Sequence, residues 1–277
     1  MGKEGERHAP PQGARPLTVR QTHERREYSP RDPVALLTME VAELWRYPVK
    51  SLRGERLQTT VVGRDGVAGD RLAHVRQQSG RVVTSRFRPG LLGLQGSLGE
   101  DGEPLVEGLP WESAGARELV RAAAGPGVEI VRFRGDDRGQ RYDVLPLTVL
   151  TTSMAEAVGV DRRRFRPNIV ISGAEGLEEI DWPGFGLRVG GLLIGVRNRR
   201  ARCVMTTFDP DTIEQDAGVL RRIVSAFDGQ VALDCWVIVP GRVAVGDAAE
   251  VVELPAEVEP PHGHGSDPFT WSPRRLV

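Results

Sequence analysis

The sequence predicts a mostly β (α+β) chain carrying a few short helices. Short apolar stretches recur along it, Gly, Asp and Pro separate them at close spacing, and only three segments show a helical period. At 277 residues the chain allows one large domain or two modest ones. The pattern divides it into a tail (1–37), two β-rich units (38–140 and 141–253) and a second tail (254–277).

Residues 1–37 are rich in Pro, Gly and Arg, have no sustained period, and are expected to be disordered. They lack the apolar core of a secretory signal, and their Glu and Pro residues oppose an amphipathic transit helix. With no apolar run near the roughly 20 residues of a membrane span, the expected location is cytoplasmic. In the first unit, Val41–Tyr47 reads as a strand stopped by Pro48. Arg56–Val62, Leu72–Gln77, Leu92–Ser97 and Val128–Phe133 read as further strands. Glu112–Ala124 begins acidic, is rich in Ala and stops at Gly125-Pro126, as a helix does. In the second unit, Thr151–Val158 is a short helix entered through hydroxyl caps, and Ile169–Ser172 a buried strand ended by Gly173. Leu187–Val196 and Cys203–Phe208 read as paired strands with Arg197–Arg202 between or across them. Val219–Phe227 has helical spacing, and Val231–Val239 and Val243–Val245 close the unit as strands.

Composition removes several classes. Two cysteines, Cys203 and Cys235, cannot make a disulfide framework, a four-cysteine zinc site or a self-contained iron–sulfur cluster. A net charge of −1 argues against a nucleic-acid module, despite two basic runs. Of 37 basic residues only Lys3 and Lys50 are lysine, so Lys50 stands out as a position where a compact charge suits better than a planar fork.

The sharpest cluster is Arg197-Asn198-Arg199-Arg200-Ala201-Arg202-Cys203. A thiol beside guanidinium groups is stabilised as the thiolate, the nucleophilic and metal-binding form, and forked arginines suit an anion. The plainer alternative, an inert core thiol flanked by solvated arginines, is slightly favoured by local sequence alone. Arg162–Asn168 is a second basic run, with phosphate contact and a solvated loop both open. His262 and His264 have no companion ligand at metal-site spacing, and no Gly-rich phosphate loop is present.

Taken together, the segments resemble a known family. Leu44-Trp45-Arg46-Tyr47-Pro48-Val49-Lys50-Ser51 and Gly69-Asp70-Arg71 are similar to the signatures of the N-terminal β-barrel module of MOSC proteins. Phe165–Gly173, Arg202–Thr212 and Pro240–Asp247 resemble those of the MOSC domain, itself β-barrel-like, and the pattern is most similar to amidoxime-reducing components. The resemblance implies a molybdenum–pyranopterin cofactor (Mo-molybdopterin). It carries over Cys203 as metal ligand and catalytic residue. Cofactor contacts carry over to Lys50, Ser51, Arg71, Thr151, Thr152, Ser153, Arg166, Asn168 and Arg202. Two departures stand out: Ala201 replaces a frequent Ser two residues before the ligand cysteine, and Asp234 stands where a Tyr is common. Cys235 reads as a core thiol.

The implied activity is reduction of N-hydroxylated or N-oxide small molecules. Electrons would come from a separate donor of flavin/cytochrome b5 or ferredoxin type, with no nucleic-acid or membrane partner. The alternative is a molybdenum-cofactor or persulfide carrier acting through Cys203.

Overall fold

The computed structural model describes residues 38–134 and 141–260; both tails, and with them His262 and His264, fall largely outside this range. The first segment contributes β1 (Glu40–Arg46), β2 (Glu55–Leu57), β3 (Thr59–Gly63), β4 (Gly66–Val67), β5 (Ala73–Gln77), β6 (Val82–Val83), β7 (Gly96–Leu98), β8 (Pro104–Val106), β9 (Leu109–Pro110), helix α1 (Ala114–Ala124) and β10 (Val128–Arg132). The second contributes β11 (Leu147–Thr151), α2 (Thr152–Val158), β12 (Ile169–Ser172), β13 (Gly186–Val189), β14 (Leu192–Ala201), α3 (Ala217–Phe227), β15 (Gln230–Val239), β16 (Gly241–Ala244) and β17 (Ala249–Val252). The chain is mostly β with short helices, as the sequence predicts. Among the described residues no sheet closes into a barrel.

Eight strands form one open sheet in the order β17-β13-β14-β15-β11-β12-β1-β2. Only β11 and β12 run parallel, joined by a crossover through α2. The pairing of β1 with β12, Leu44 opposite Ile169, inserts the first strand of the N-terminal segment into the C-terminal sheet. Three smaller antiparallel sheets surround it: β10-β5-β6, β16-β3-β4 and β7-β8-β9. The main core lies against the large sheet and includes Leu44, Leu147, Ile169, Ile194, Leu233 and Cys235. Cys235 is fully buried, and burial pushes its thiol well above the ordinary value, so it is the inert core thiol the sequence suggests. A second core packs α1 on β5 and β10 through Ala116, Val120, Val75 and Ile130. A third seats α2 and α3 together through Met154, Val158, Val219 and Ile223.

Helix entry follows the caps. Ser113 accepts from Ala116 N at the start of α1, Thr151 from Met154 N at α2, and Asp216 from Gly218 N at α3. Four strand readings are corrected, the first being Leu187–Val196, which turns at Gly190-Gly191 and pairs β13 with β14 as a hairpin. Arg56–Val62 divides at Gln58, because Leu57 pairs with β1 while β3 pairs with β16. Leu92 lies in a 3-10 turn, Pro89–Gly93, started by the proline. Cys203–Phe208 is no strand: the Thr206 and Thr207 hydroxyls donate to Cys203 O (2.9 Å) and Val204 O (2.6 Å), closing a 3-10 turn over Val204–Thr207. Arg197–Arg200 instead extend β14, which bulges against β15 between Val196 and Asn198 and again after Arg199. Gly195 lets Trp236 lie flat across β14, since a Cβ there would meet the indole at 2.2 Å.

Asn168 ties three strands together. Its Oδ1 accepts from Thr148 N (3.1 Å), its Nδ2 donates to Trp45 O (3.3 Å), and its backbone bonds the same two residues at 2.8 Å. Replacing it with Leu strands a buried N–H and a buried carbonyl, each costing about 1–3 kcal/mol. Asn168→Leu is therefore expected to lower denaturant-measured stability by about 2–4 kcal/mol, and a change below 1 kcal/mol would remove the bracing role.

Glu179 is almost fully buried and accepts from Thr151 N at 2.6 Å. Burial pushes its carboxyl up to about 7, against the pull of the Thr151 hydrogen bonds. A carboxyl that binds its proton more tightly folded than unfolded costs stability as pH rises, here between about 4.5 and 7. Glu179→Gln is expected to be less sensitive. Its stability relative to the parent should increase from pH 5 to pH 8, as read by urea denaturation at both values.

Candidate functional site

A cavity of about 430 Å³ lies where the ends of β11, β14 and β15 meet loops from the N-terminal segment. Lys50 and Ser51 enter on the turn after β1, Arg71 on the turn after β4, Arg86 and Phe87 on the loop after β6. Thr148 comes from β11, Arg164 and Arg166 from the approach to β12, Arg199 and Arg200 from β14, and Asp234 from β15. Arg202 and the half-buried Cys203 complete the wall.

The sequence-predicted residues divide. Lys50, Ser51, Arg71, Arg166, Arg202 and Cys203 line this one cavity. Asn168 is buried in the strand brace described above, outside the lining. Thr151 caps α2, Ser153 donates to the Thr151 hydroxyl (3.1 Å), and Thr152 lines a separate groove, so the hydroxyl that β11 presents to the cavity is Thr148. Alternation explains the difference. In a strand, successive side chains face opposite sides, and Thr151 ends the strand by turning into a cap.

Three cavity residues hold left-handed backbone although none is glycine: Ser51 (φ 76°), Arg71 (φ 49°) and Arg166 (φ 53°). Such backbone is uncommon and concentrates where geometry is imposed from outside. The surroundings supply that imposition. Arg166 donates to Leu52 O (2.7 Å) and lies over the Tyr47 ring at 4.2 Å. Arg71 bonds the buried Asp70, whose other oxygen accepts from Tyr47 N at 2.7 Å, and approaches the same ring at 5.6 Å. The Tyr47 hydroxyl, held far above its ordinary range by burial, donates to Pro167 O at 3.1 Å. Tyr47 is thus a platform between two guanidinium groups, anchored to both halves of the sheet.

The cations outnumber their partners. Lys50 Nζ stands 3.1 Å from Asp143, and Arg200 bridges Asp234 and Asp143. Burial draws Lys50 below the ordinary lysine value. Burial also works to raise Asp143, yet Lys50 and Arg200 hold it well below the carboxylate range. Burial brings Arg166 down to about 10 and, with Arg200 adding repulsion, Arg202 down to about 9. Arg202 donates one bond to Phe165 O (2.8 Å), while its buried Nε and Nη1 have no acceptor. Such unmet donors carry a desolvation cost that an anion would relieve. Thr148, Asp143 and Met205 are cavity residues that the sequence does not single out, whereas Arg200 belongs to the basic run before Cys203. The alternation of β11 points to Thr148, whereas Asp143 is a lone acid with no local signal.

No group of three or more His, Cys, Asp or Glu side chains forms a metal site among the described residues. A single sulfur donor within a cationic wall suits a metal that brings its other ligands with it, and an anionic carrier. No helix among the described residues is long and apolar enough to cross a membrane.

The chain is 28% identical over 239 residues to mitochondrial amidoxime-reducing component 1 of Homo sapiens, covering 66% of this chain and 68% of the relative. It is 26% identical over 229 residues to mitochondrial amidoxime reducing component 2 of Macaca fascicularis, covering 62% and 67%. Both relatives are named as mitochondrial, which lends no weight to a cytoplasmic location. Residues 38–121 match the MOSC N-terminal beta barrel domain and residues 147–250 the MOSC domain. With the two models matched in order along one chain, the protein belongs to the MOSC family and carries both of its modules.

Proposed function

We propose that the protein holds a molybdenum–pyranopterin cofactor and reduces N-hydroxylated or N-oxide small molecules with electrons from a separate donor. The observation that carries this reading is the half-buried Cys203 in a wall of excess positive charge, beside Arg202 with two unmet N–H donors. The names of the relatives support the same reaction class.

The residues present fit the group. Cys203 would supply the protein's sulfur ligand, and Lys50, Ser51 and Arg71 would hold the cofactor's phosphate. Arg166, Arg202 and the Thr148 hydroxyl would hold the rest. When bound, the cofactor supplies two-electron chemistry that no side chain of this protein can perform. Each N–OH reduced takes two electrons and two protons and releases water. The chain's own part is orientation and electrostatics. Arg166 is fixed between Leu52 O and the Tyr47 ring, so its guanidinium needs no reorganisation to meet negative charge. Asp143 keeps Lys50 charged despite burial, and the carboxylates of Asp143 and Asp234 limit repulsion around Arg200.

Cys203→Ser, expressed with molybdate, is expected to lose nearly all molybdenum by elemental analysis while its circular dichroism stays that of the parent. Equal metal in both proteins would overturn the ligand assignment. Lys50→Ala is expected to retain molybdenum only in part, because Ser51 and Arg71 share the anion. Full retention would place the phosphate elsewhere. The metal-loaded parent should reduce benzamidoxime with reduced methyl viologen. Failure to do so, with transfer of cofactor to an apo-enzyme, would establish the carrier reading instead.

A further inference from the structure

A second space adjoins the Cys203 cavity. It is a slot of about 210 Å³ with largely apolar walls from Trp45, Tyr47, Leu92 and Phe208. Arg164, Arg166 and Met205 line both spaces, and Met205 is two residues from Cys203. Whole drug-sized ligands occupy roughly 300–1,000 Å³, so the slot suits part of a ligand whose remainder occupies the neighbouring cavity. Its walls are not wholly apolar. Arg53 donates to Gly93 O (2.8 Å), and Arg164 donates to Thr207 O (2.9 Å) and Asp209 (2.9 Å), yet each keeps a buried Nε with no acceptor. Two immobilised guanidinium groups with one unmet donor each, among two aromatic rings, an indole and a leucine, favour a flat ring bearing an acceptor.

We propose that this slot seats the planar, aromatic or heteroaromatic body of the substrate while its N–O end occupies the Cys203 cavity. The inference rests on the reductase reading for the identity of that end, and on the slot alone for the ring. It makes Leu92 a specificity-determining residue: it is 8% exposed, lines the slot and does not line the cavity. Substrates with a flat ring are then preferred over small aliphatic ones, because only the former fill the slot.

Leu92→Trp fills the slot and Leu92→Ala enlarges it. On metal-loaded protein, calorimetric titration with benzamidoxime is expected to show at least tenfold weaker binding in Leu92→Trp, with molybdenum content unchanged. KM for acetamidoxime should stay within about twofold. Leu92→Ala, the variant less prone to misfolding, should gain affinity for 2-naphthamidoxime relative to benzamidoxime. Unchanged benzamidoxime binding in both variants, or no binding to the parent, would overturn the proposal. So would loss of molybdenum from Leu92→Trp, which would put the cofactor in the slot. Binding that shifts as expected without turnover by any donor keeps the slot and removes the reductase reading. Turnover of both amidoximes falling equally does the reverse.

Discussion

Holding like charges together in a partly dry space is the constraint around which this structure is built. Seven arginines and a lysine wall one cavity, with only Asp143 and Asp234 among them. In a low-dielectric setting such groups repel strongly and lose hydration. The chain answers with fixed acceptors rather than with more acids. Backbone carbonyls of Leu52, Phe165, Thr207, Phe227 and Gln230 each take a guanidinium hydrogen bond. The Tyr47 and Phe165 rings take the faces of two of the same groups, at 4.2 Å for Arg166 and 5.3 Å for Arg202. What remains unsatisfied is concentrated on Arg202, beside Cys203. Burial is the main reason that Arg166 and Arg202 fall below the ordinary arginine value.

The sheet makes this concentration possible. Because β1 pairs with β12, the turn carrying Lys50 and Ser51 emerges next to the turn carrying Arg166. Asn168 fixes the register between them by bonding both neighbours with one side chain. At the other side, the long β14 and β15 bulge where the arginines begin. Bulges of this kind re-aim side chains locally, and here Arg199 reaches the carbonyls beyond α3 while Arg200 turns to Asp234. Positive backbone angles at Ser51, Arg71 and Arg166 are held by the same contacts.

Much of this was legible in the sequence, for identifiable reasons. Strand positions such as Ile169–Ser172 and helix entries such as Thr151 follow from local pattern and capping. The signatures around Lys50, Arg71, Arg166 and Cys203 named residues that one cavity brings together. Local pattern failed where a tertiary partner decided the outcome. Arg56–Val62 divides at Gln58 only because two different strands await its halves. Thr206 and Thr207 fold the segment after Cys203 into a turn through their hydroxyls. Thr151, which the resemblance carries over as a cofactor contact, is the cap of α2, as its local sequence predicts. Asp143, a few residues before β11, has no periodic signal at all; its role exists only through Lys50 and Arg200.

Lys50 shows why residue type matters inside such a wall. It is the one lysine among the cavity's arginines, and it is paired with Asp143 at a single oxygen, 3.1 Å away. Arg200 approaches the other Asp143 oxygen at 3.6 Å, so a second forked guanidinium at position 50 would compete for it. An ammonium needs only a point of contact, and its three protons are not confined to one plane. One cation can therefore bond a carboxylate of the wall without competing for both of its oxygens. An arginine at the same place would be committed by its plane. The compact charge therefore does what its forked neighbours cannot, which accounts physically for a lysine in a chain that otherwise uses arginine almost throughout.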